Sequence, residues 1–182
     1  FLRVPNYDLD LVVEGSGETL AKELAGRIHG RTRVHERFGT AIIILPDGNK
    51  IDVATARTEF YEFPAALPEV EKSSIREDLY RRDFTINTLA ICLNPGSFGQ
   101  LIDYFGGRQD IENGCIRILY NLSFVEDPTR ILRAIRFEQR YNFKIESDTL
   151  RFAQDAIARR LLRKLSYKRI LQELMLILSE RN

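Results

Sequence analysis

Asp8-Leu9-Asp10-Leu11-Val12-Val13 decides how this chain is read. Side chains on a strand alternate between faces, so Asp8 and Asp10 share one face, next to an apolar run that belongs in a sheet. Two like charges aimed at one point beside a core each raise the cost of ionising the other. A divalent cation removes that cost, and hard oxygen ligands suit magnesium. Taken alone, Asp-x-Asp is more often an acidic strand end in water, so the rest of the chain has to decide.

Working outward, residues 8–13 read as a strand, Glu14 to Gly17 as a turn, and Glu18 to Ile28 as an amphipathic helix through Leu20, Leu24 and Ile28. Thr32 to Glu36 is strand-like, and Ala41 to Leu45 is a continuous apolar strand. Pro46-Asp47-Gly48-Asn49 turns it into a return strand from Lys50 to Ala56. Asp52 therefore sits on a neighbouring strand and is the third candidate carboxylate. Two cations about 3.5–4 Å apart on such a set can activate a hydroxyl and stabilise a leaving phosphate. Residues 57–73, with Pro64 and Pro68, read as a long loop. Ser74 caps a helix from Ile75 to Arg81, and short strands follow at Leu101 to Tyr104 and Cys115 to Leu119, either side of a Gly106-Gly107 break.

The character changes near Asn121. Asp127 caps a helix with Pro128 in its first turn, running to about Tyr141; Ser147 and Ser166 cap two more. Leu171, Leu174, Ile177 and Leu178 are the expected core face of the last one. The fold class expected is α+β: a small mixed sheet with helices over residues 1–120, then an all-helical unit over 121–182.

Composition agrees. A chain of 182 residues with 44% hydrophobic and 29% charged residues describes a globular protein of ordinary domain size. There is no run of about 18 apolar residues, so no membrane partner is expected, and no secretory signal opens the chain. A cytoplasmic location follows, with Cys92 and Cys115 as buried free thiols. Because Phe1 is not Met, the chain reads as a fragment or a processed piece. The net charge of +1 hides an asymmetry: 14 Lys+Arg against 20 Asp+Glu up to residue 127, then 13 against 6. A metal site followed by a phosphate-binding surface would produce that split.

Two further stretches carry chemistry. In Arg81-Arg82-Asp83-Phe84-Thr85, Arg82 offers a planar fork to phosphate and Asp83 an acceptor to a ribose hydroxyl. In Glu126-Asp127-Pro128-Thr129-Arg130, Asp127, Arg130, Arg133 and Arg136 recur at threes on one helix face, with Ile131, Leu132 and Ile135 on the other. Cytosine and adenine each present an amine donor beside a ring-nitrogen acceptor, which an Arg–Asp pair matches. Uracil and guanine present the reverse pattern. Arg133 and Arg136 would then meet phosphates.

The ordered series DLDLVVEG (8–15), RVHERFGTA (33–41), IDVATARTE (51–59), PAALPEV (64–70), SSIREDLYRRDFTIN (73–87), DYFGGRQDIENG (103–114) and FVEDPTRILRAIRFEQRY (124–141) resembles class II tRNA nucleotidyltransferases. These are the CCA-, A- and CC-adding enzymes of the polymerase-beta superfamily, and bacterial poly(A) polymerases are close kin. The likeness runs from about Pro5 to Leu178. It implies a nucleotidyltransferase head over 1–120 and a helical neck over 121–182. It also implies magnesium on Asp8, Asp10 and Asp52, nucleotide held by Arg82 and Asp83, and base choice by Asp127 and Arg130, with Arg133 and Arg136 following on the same face. The partners implied are ATP and/or CTP and the 3′ end of tRNA. The alternatives are a poly(A) polymerase and an RNA-binding fragment without catalysis. Tyr104 stands where the family often has Pro, and Thr88 where it often has Ala. A Gly-Gly-x-x-Arg-Asp turn would precede Asp8 in the family, and tRNA-holding domains would follow residue 182.

Overall fold

The strand–helix–strand alternation expected of the first part is what the computed structural model contains; it describes residues 8–35 and 39–180. β1 (Leu9–Val13), α1 (Gly17–Arg27), β2 (Arg31–His35), β3 (Thr40–Ile44) and β4 (Lys50–Thr55) build a four-stranded sheet in the order β1-β4-β3-β2. β4 runs parallel to β1, and β3 is antiparallel to both its neighbours. The strand end expected at Glu36, the Glu36 to Phe38 part of the RVHERFGTA series, and the likeness over Pro5 to Tyr7 lie outside the described residues.

Apolar residues of alternate register cover one face of this sheet. Ala41, Ile43 and Val53 are buried, and Leu11 and Ile51 pack on them with Ala21, Ala25, Leu20 and Leu24 of α1. Ser16 caps α1 through its hydroxyl. The first turn lies against β4: the Gly17 N–H donates to Thr55 Oγ1 at 2.9 Å, and a Cβ at Gly17 would stand 2.8 Å from the Thr55 nitrogen. Only glycine allows that approach.

β5 (Arg57–Phe60) and β6 (Glu69–Lys72) form an antiparallel hairpin where the sequence had suggested a loop. Its pairs Glu59↔Val70 and Phe60↔Glu69 put charged and apolar residues opposite one another. No face of it is buried, so no period-2 signal could show it. α2 (Ile75–Tyr80) begins with the Ile75 N–H on Glu14 Oε1 at 2.6 Å.

After α2 come a 3₁₀ turn at Thr85–Asn87, β7 (Ala90–Ile91), β8 (Leu101–Ile102), α3 (Gly107–Glu112), β9 (Cys115–Ile116), α4 (Ser123–Glu126), α5 (Thr129–Tyr141), β10 (Lys144–Ile145), α6 (Ser147–Ala158), a second 3₁₀ turn at Leu161–Lys164 and α7 (Tyr167–Ser179). The chain divides into two compact units. One holds the described residues up to Phe60 together with residues 69–78, and the other residues 61–68 and the described residues from Leu79 on.

The core of the second unit draws on both sides of residue 120: Phe84, Ile116 and Ile118 pack with Phe124, Ile131, Ala134, Phe137, Ala153 and Ala156. The Gly106-Gly107 break has a physical cause. Gly106 takes a left-handed φ of 74°, and a Cβ on Gly107 would lie 2.2 Å from the Thr85 carbonyl oxygen. Thr88 is fully buried, and its hydroxyl donates to that same carbonyl at 2.6 Å.

Three local expectations change. Glu146, not Ser147, caps α6, its carboxylate accepting from the Asp148 and Thr149 N–H groups. Both thiols are free but only half-buried. On α7 the expected core face is open: Leu171, Leu174 and Leu178 are exposed, and the buried residue is Glu173. The side turned to α5 is charged. Glu173 lies 3.7 Å from both Arg133 and Arg136, and Glu180 reaches Arg136 at 3.4 Å and Arg140 at 3.6 Å.

Candidate active site

In the sheet unit, the register settles how two of the three carboxylates stand. Asp10 pairs directly with Asp52 across the parallel β1–β4 ladder. Partners in one row share a face, so both carboxylates leave the sheet on the side opposite α1. Asp8, two residues upstream, precedes the strand, and all three are exposed. Their apolar neighbours Leu11, Ile51 and Val53 face α1, which is why a two-residue period could reveal the set.

Neighbouring strands are about 4.8 Å apart, so the Asp10 and Asp52 oxygens can reach a common point. Among the described residues no three His, Cys, Asp or Glu side chains close into a metal cage. The pair still fits magnesium, which keeps several waters and is held by one or two carboxylates together with substrate phosphates.

In the other unit, the Arg-Arg-Asp-Phe segment and the start of α5 form one hydrogen-bonded assembly. Asp127 ends α4 and precedes Pro128. Its Oδ1 accepts from the Thr129 N–H at 3.0 Å, the Thr129 hydroxyl at 2.6 Å and Arg169 Nη2 at 2.7 Å. Asp127 thus bonds the first turn as expected, but the helix starts at Thr129, so Pro128 holds the cap position and Asp127 lies one residue before it. Oδ2 has no partner among the described residues, so one acceptor edge of Asp127 remains.

Arg130 is buried, 5% exposed. Its Nη1 donates to Ser123 Oγ at 2.7 Å and to the Tyr120 hydroxyl at 3.1 Å, and Nη2 to the Arg81 carbonyl at 2.7 Å. A guanidinium has five N–H donors, which leaves Nε–H and one Nη2 hydrogen for a ligand. Burial works against the Arg130 charge, but the Tyr120 and Tyr61 phenols and Asp127 outweigh it, and its pKa goes up.

Asp83 is nearly covered at 7% exposure. Its Oδ1 accepts from the Phe84 N–H at 2.9 Å and Asn87 Nδ2 at 2.8 Å, and its Oδ2 takes Arg133 Nε at 2.7 Å. Asp83 thus orders its own turn and ties it to α5. Arg82 Nη1 donates to the Asn87 carbonyl at 3.2 Å. Asp110 secures the same turn from α3, accepting from the Thr85 hydroxyl at 2.6 Å and Arg117 Nε at 3.1 Å.

The structure therefore brings Arg81, Asp83, Asp127, Arg130 and Arg133 together. Arg133 and Arg136 are engaged with acidic partners, the first with Asp83 and Glu173, the second with Glu173 and Glu180. Arg136 also lies 4.8 Å over the Phe137 ring. Ile135, expected on the apolar side, is 43% exposed.

Sequence reasoning passed over three members of this assembly. Glu126 and Tyr120 share a hydrogen bond from the phenol to the carboxylate, and Arg169 joins Asp127 to the Ala65 carbonyl at 3.2 Å. Glu126 stood inside a quoted motif. Tyr120 and Arg169 are 10 and 39 positions from Arg130, too far for any helical spacing to link them.

The family model described as "Poly A polymerase head domain" matches residues 1–117. An A-adding tRNA nucleotidyltransferase of Geobacter sulfurreducens is 54% identical over 180 residues, which is 99% of this chain and 20% of that protein. A solved CCA-adding enzyme in an apo form superposes with a TM-score of 0.94 at 52% identity, covering 98% of this chain and 42% of the other. The Thermotoga maritima CCA-adding enzyme, solved in complex with tRNA, superposes with a TM-score of 0.85 at 47% identity, covering 98% of this chain and 40% of that one. The chain thus spans between a fifth and about two fifths of the length of these relatives.

Proposed function

The chain belongs to the poly A polymerase head-domain family, and on that footing we propose that it carries the nucleotidyl-transfer site of a tRNA nucleotidyltransferase, adding A and/or C from ATP or CTP to a tRNA 3′ end. The names of the relatives support one to three additions rather than a long poly(A) tail. Residues 1–120 act as the catalytic head and 121–182 as the helical neck. No helix among the described residues is long and apolar enough to cross a membrane, and a place of work in the cytoplasm is part of the same proposal.

The observation that carries this reading is the Asp10–Asp52 row on the open face of the sheet. Asp8, Asp10 and Asp52 would hold magnesium as a two-ion site, which when bound lowers the pKa of the attacking hydroxyl and neutralises the leaving phosphates. The RNA 3′ oxygen forms a bond to the α-phosphorus, the bond from that phosphorus to the bridging oxygen breaks, and pyrophosphate leaves. The hydroxyl proton passes to a carboxylate of the Asp10–Asp52 pair. Arg82 and Asp83 hold the nucleotide. Arg130 Nε–H or Nη2–H and Asp127 Oδ2 read the donor and acceptor edge that cytosine and adenine share. Arg133 works here by fixing Asp83, and Arg136 by fixing α7 against α5.

The test is Asp10→Ala. Transfer of labelled nucleotide to tRNA ending before or within CCA should fall by at least about 10³-fold, the scale of removing a principal electrostatic group. The circular dichroism spectrum should stay unchanged. Full activity in that variant would refute the site.

A further inference from the structure

Arg130 has to be held still if it is to tell one base from another, and most of what holds it comes from outside α5. The Arg81 carbonyl, Ser123 Oγ and the Tyr120 hydroxyl take three of its donors. Of these, only Tyr120 also reaches a carboxylate. Its hydroxyl donates to Glu126 Oε2 while accepting from Arg130 Nη1. A phenol has one proton to give and lone pairs to receive. Spending the proton on Glu126 turns the lone pairs toward the guanidinium.

The ring is fixed as well. Tyr120 packs against Tyr80 with centroids 5.2 Å apart, and the Arg130 guanidinium carbon lies 5.9 Å from its centroid. We propose that Tyr120 is a positioning residue for nucleotide choice: its hydroxyl stands between the Glu126 carboxylate and the Arg130 guanidinium and keeps two Arg130 donors aimed at the base.

Without that hydroxyl, Glu126 and Arg130 would be drawn to pair directly, a half-buried carboxylate beside a buried guanidinium. The donors meant for the base would then be drawn to Glu126. The phenol is suited to the task at any working pH, since burial, with the Glu126 hydrogen bond adding to it and the Arg130 charge opposing it, pushes its pKa up to about 12. The inference rests on the reading of Arg130 as the base-selecting group, and the experiment separates the two.

The experiment is equilibrium binding of ATP, CTP, GTP and UTP, each with magnesium, to the full chain and its variants, with magnesium tripolyphosphate as a probe that has no base. In Tyr120→Phe the ring and its stacking remain, and only the hydroxyl is lost. The preference between favoured and disfavoured nucleotides should fall about tenfold, the effect of one misplaced hydrogen bond to a charged group, with tripolyphosphate affinity unchanged. Glu126→Ala, which frees the hydroxyl to turn, should lower the preference about threefold and keeps the question answerable if the first variant does not fold.

If Arg130→Ala leaves the preference intact, the Arg130 reading itself fails. If Arg130→Ala levels the preference while Tyr120→Phe and Glu126→Ala keep it whole, the Tyr120 assignment is overturned and the reading stands. Loss of tripolyphosphate affinity along with base preference in Tyr120→Phe would mean general support rather than positioning, and would also overturn the assignment.

Discussion

The sheet face that bears Asp10 and Asp52 and the seam between α5 and α7 are built on opposite rules. On the sheet, apolar side chains turn inward to α1 and carboxylates turn out to water. At the seam, Arg136 and Glu173 are buried while Leu174 and Leu178 of α7 and Ile135 of α5 are exposed. A period in the sequence shows that an element has two faces. It does not show which face meets a partner. The sheet has its helix next to it in sequence, so the apolar face was the inner one. α7 meets α5 through charge, and its leucines are left over. On α5 itself the arginines also cover apolar surface, since the Arg133 and Arg136 guanidinium carbons lie 5.4 and 4.8 Å from the centre of the Phe137 ring.

The largest effect expected at the seam comes from removing one partner. Glu173→Ala takes one of its two acidic partners from the buried Arg136, with Glu180 remaining at 3.4 Å, and should cost about 2 kcal/mol of stability in urea unfolding. The double change Glu173→Leu with Arg136→Met should be far milder, because a buried pair replaced by apolar groups of similar size is often close to neutral. If Glu173→Ala melts like the native chain, the seam is a surface feature and the contrast with the sheet falls.

A smaller effect, and one that depends on pH, is expected at the start of α6. The Glu146 carboxylate is hydrogen-bonded by the Asp148 and Thr149 N–H groups and the Thr149 and Ser147 hydroxyls. Burial opposes its ionisation, but these bonds prevail and draw its pKa down from 4.5 to about 2. A folded pKa below the unfolded one adds stability above the unfolded value, which is lost as pH falls through the folded one. Glu146→Gln should therefore be less stable than the native chain by about 1 kcal/mol at neutral pH, as for a lost cap. That gap should close between about pH 4.5 and pH 2. A gap that persists at pH 2 would mean the carboxylate's charge is not what caps α6.

These contrasts also mark how far the sequence could be read. β1 to β4 and α1 were legible to within a residue or two because each buries one face against a neighbour close in sequence. The β5–β6 hairpin was not, since with Arg57, Glu59, Glu69, Glu71 and Lys72 it has no apolar period to detect. At the candidate site, the hairpin turn that links β3 and β4 could put Asp52 on a strand of the sheet, though its direct pairing with Asp10 comes from the parallel β1–β4 ladder, and Asp127 could be set with Arg130 through helical spacing. Tyr120, Ser123 and the Arg81 carbonyl could not be foreseen as partners of Arg130, because the chain returns to that guanidinium by tertiary packing alone. The acidic partners of Arg133 and Arg136 were equally out of reach of the sequence. Spacing put them on one face, but Glu173 and Glu180, some 40 residues downstream, are what that face meets.

The smallest effect on stability is expected where the effect on activity should be largest. Asp10 and Asp52 are like charges directly opposite one another, an arrangement that costs a sheet roughly 0.2–1 kcal/mol. Asp52→Asn keeps the shape and removes one charge, so the variant should match or slightly exceed the native melting temperature at low salt. Any gain should shrink in high salt as the repulsion is screened. Magnesium should reverse the order. An ion that binds the folded state alone raises stability with concentration, so the native chain should gain in melting temperature as magnesium is added, and Asp52→Asn should gain little. Nucleotide transfer should be lost in the same variant. Equal magnesium stabilisation of both proteins would remove Asp52 from the metal set and leave the exposed acidic row of the sheet as no more than a solvated face.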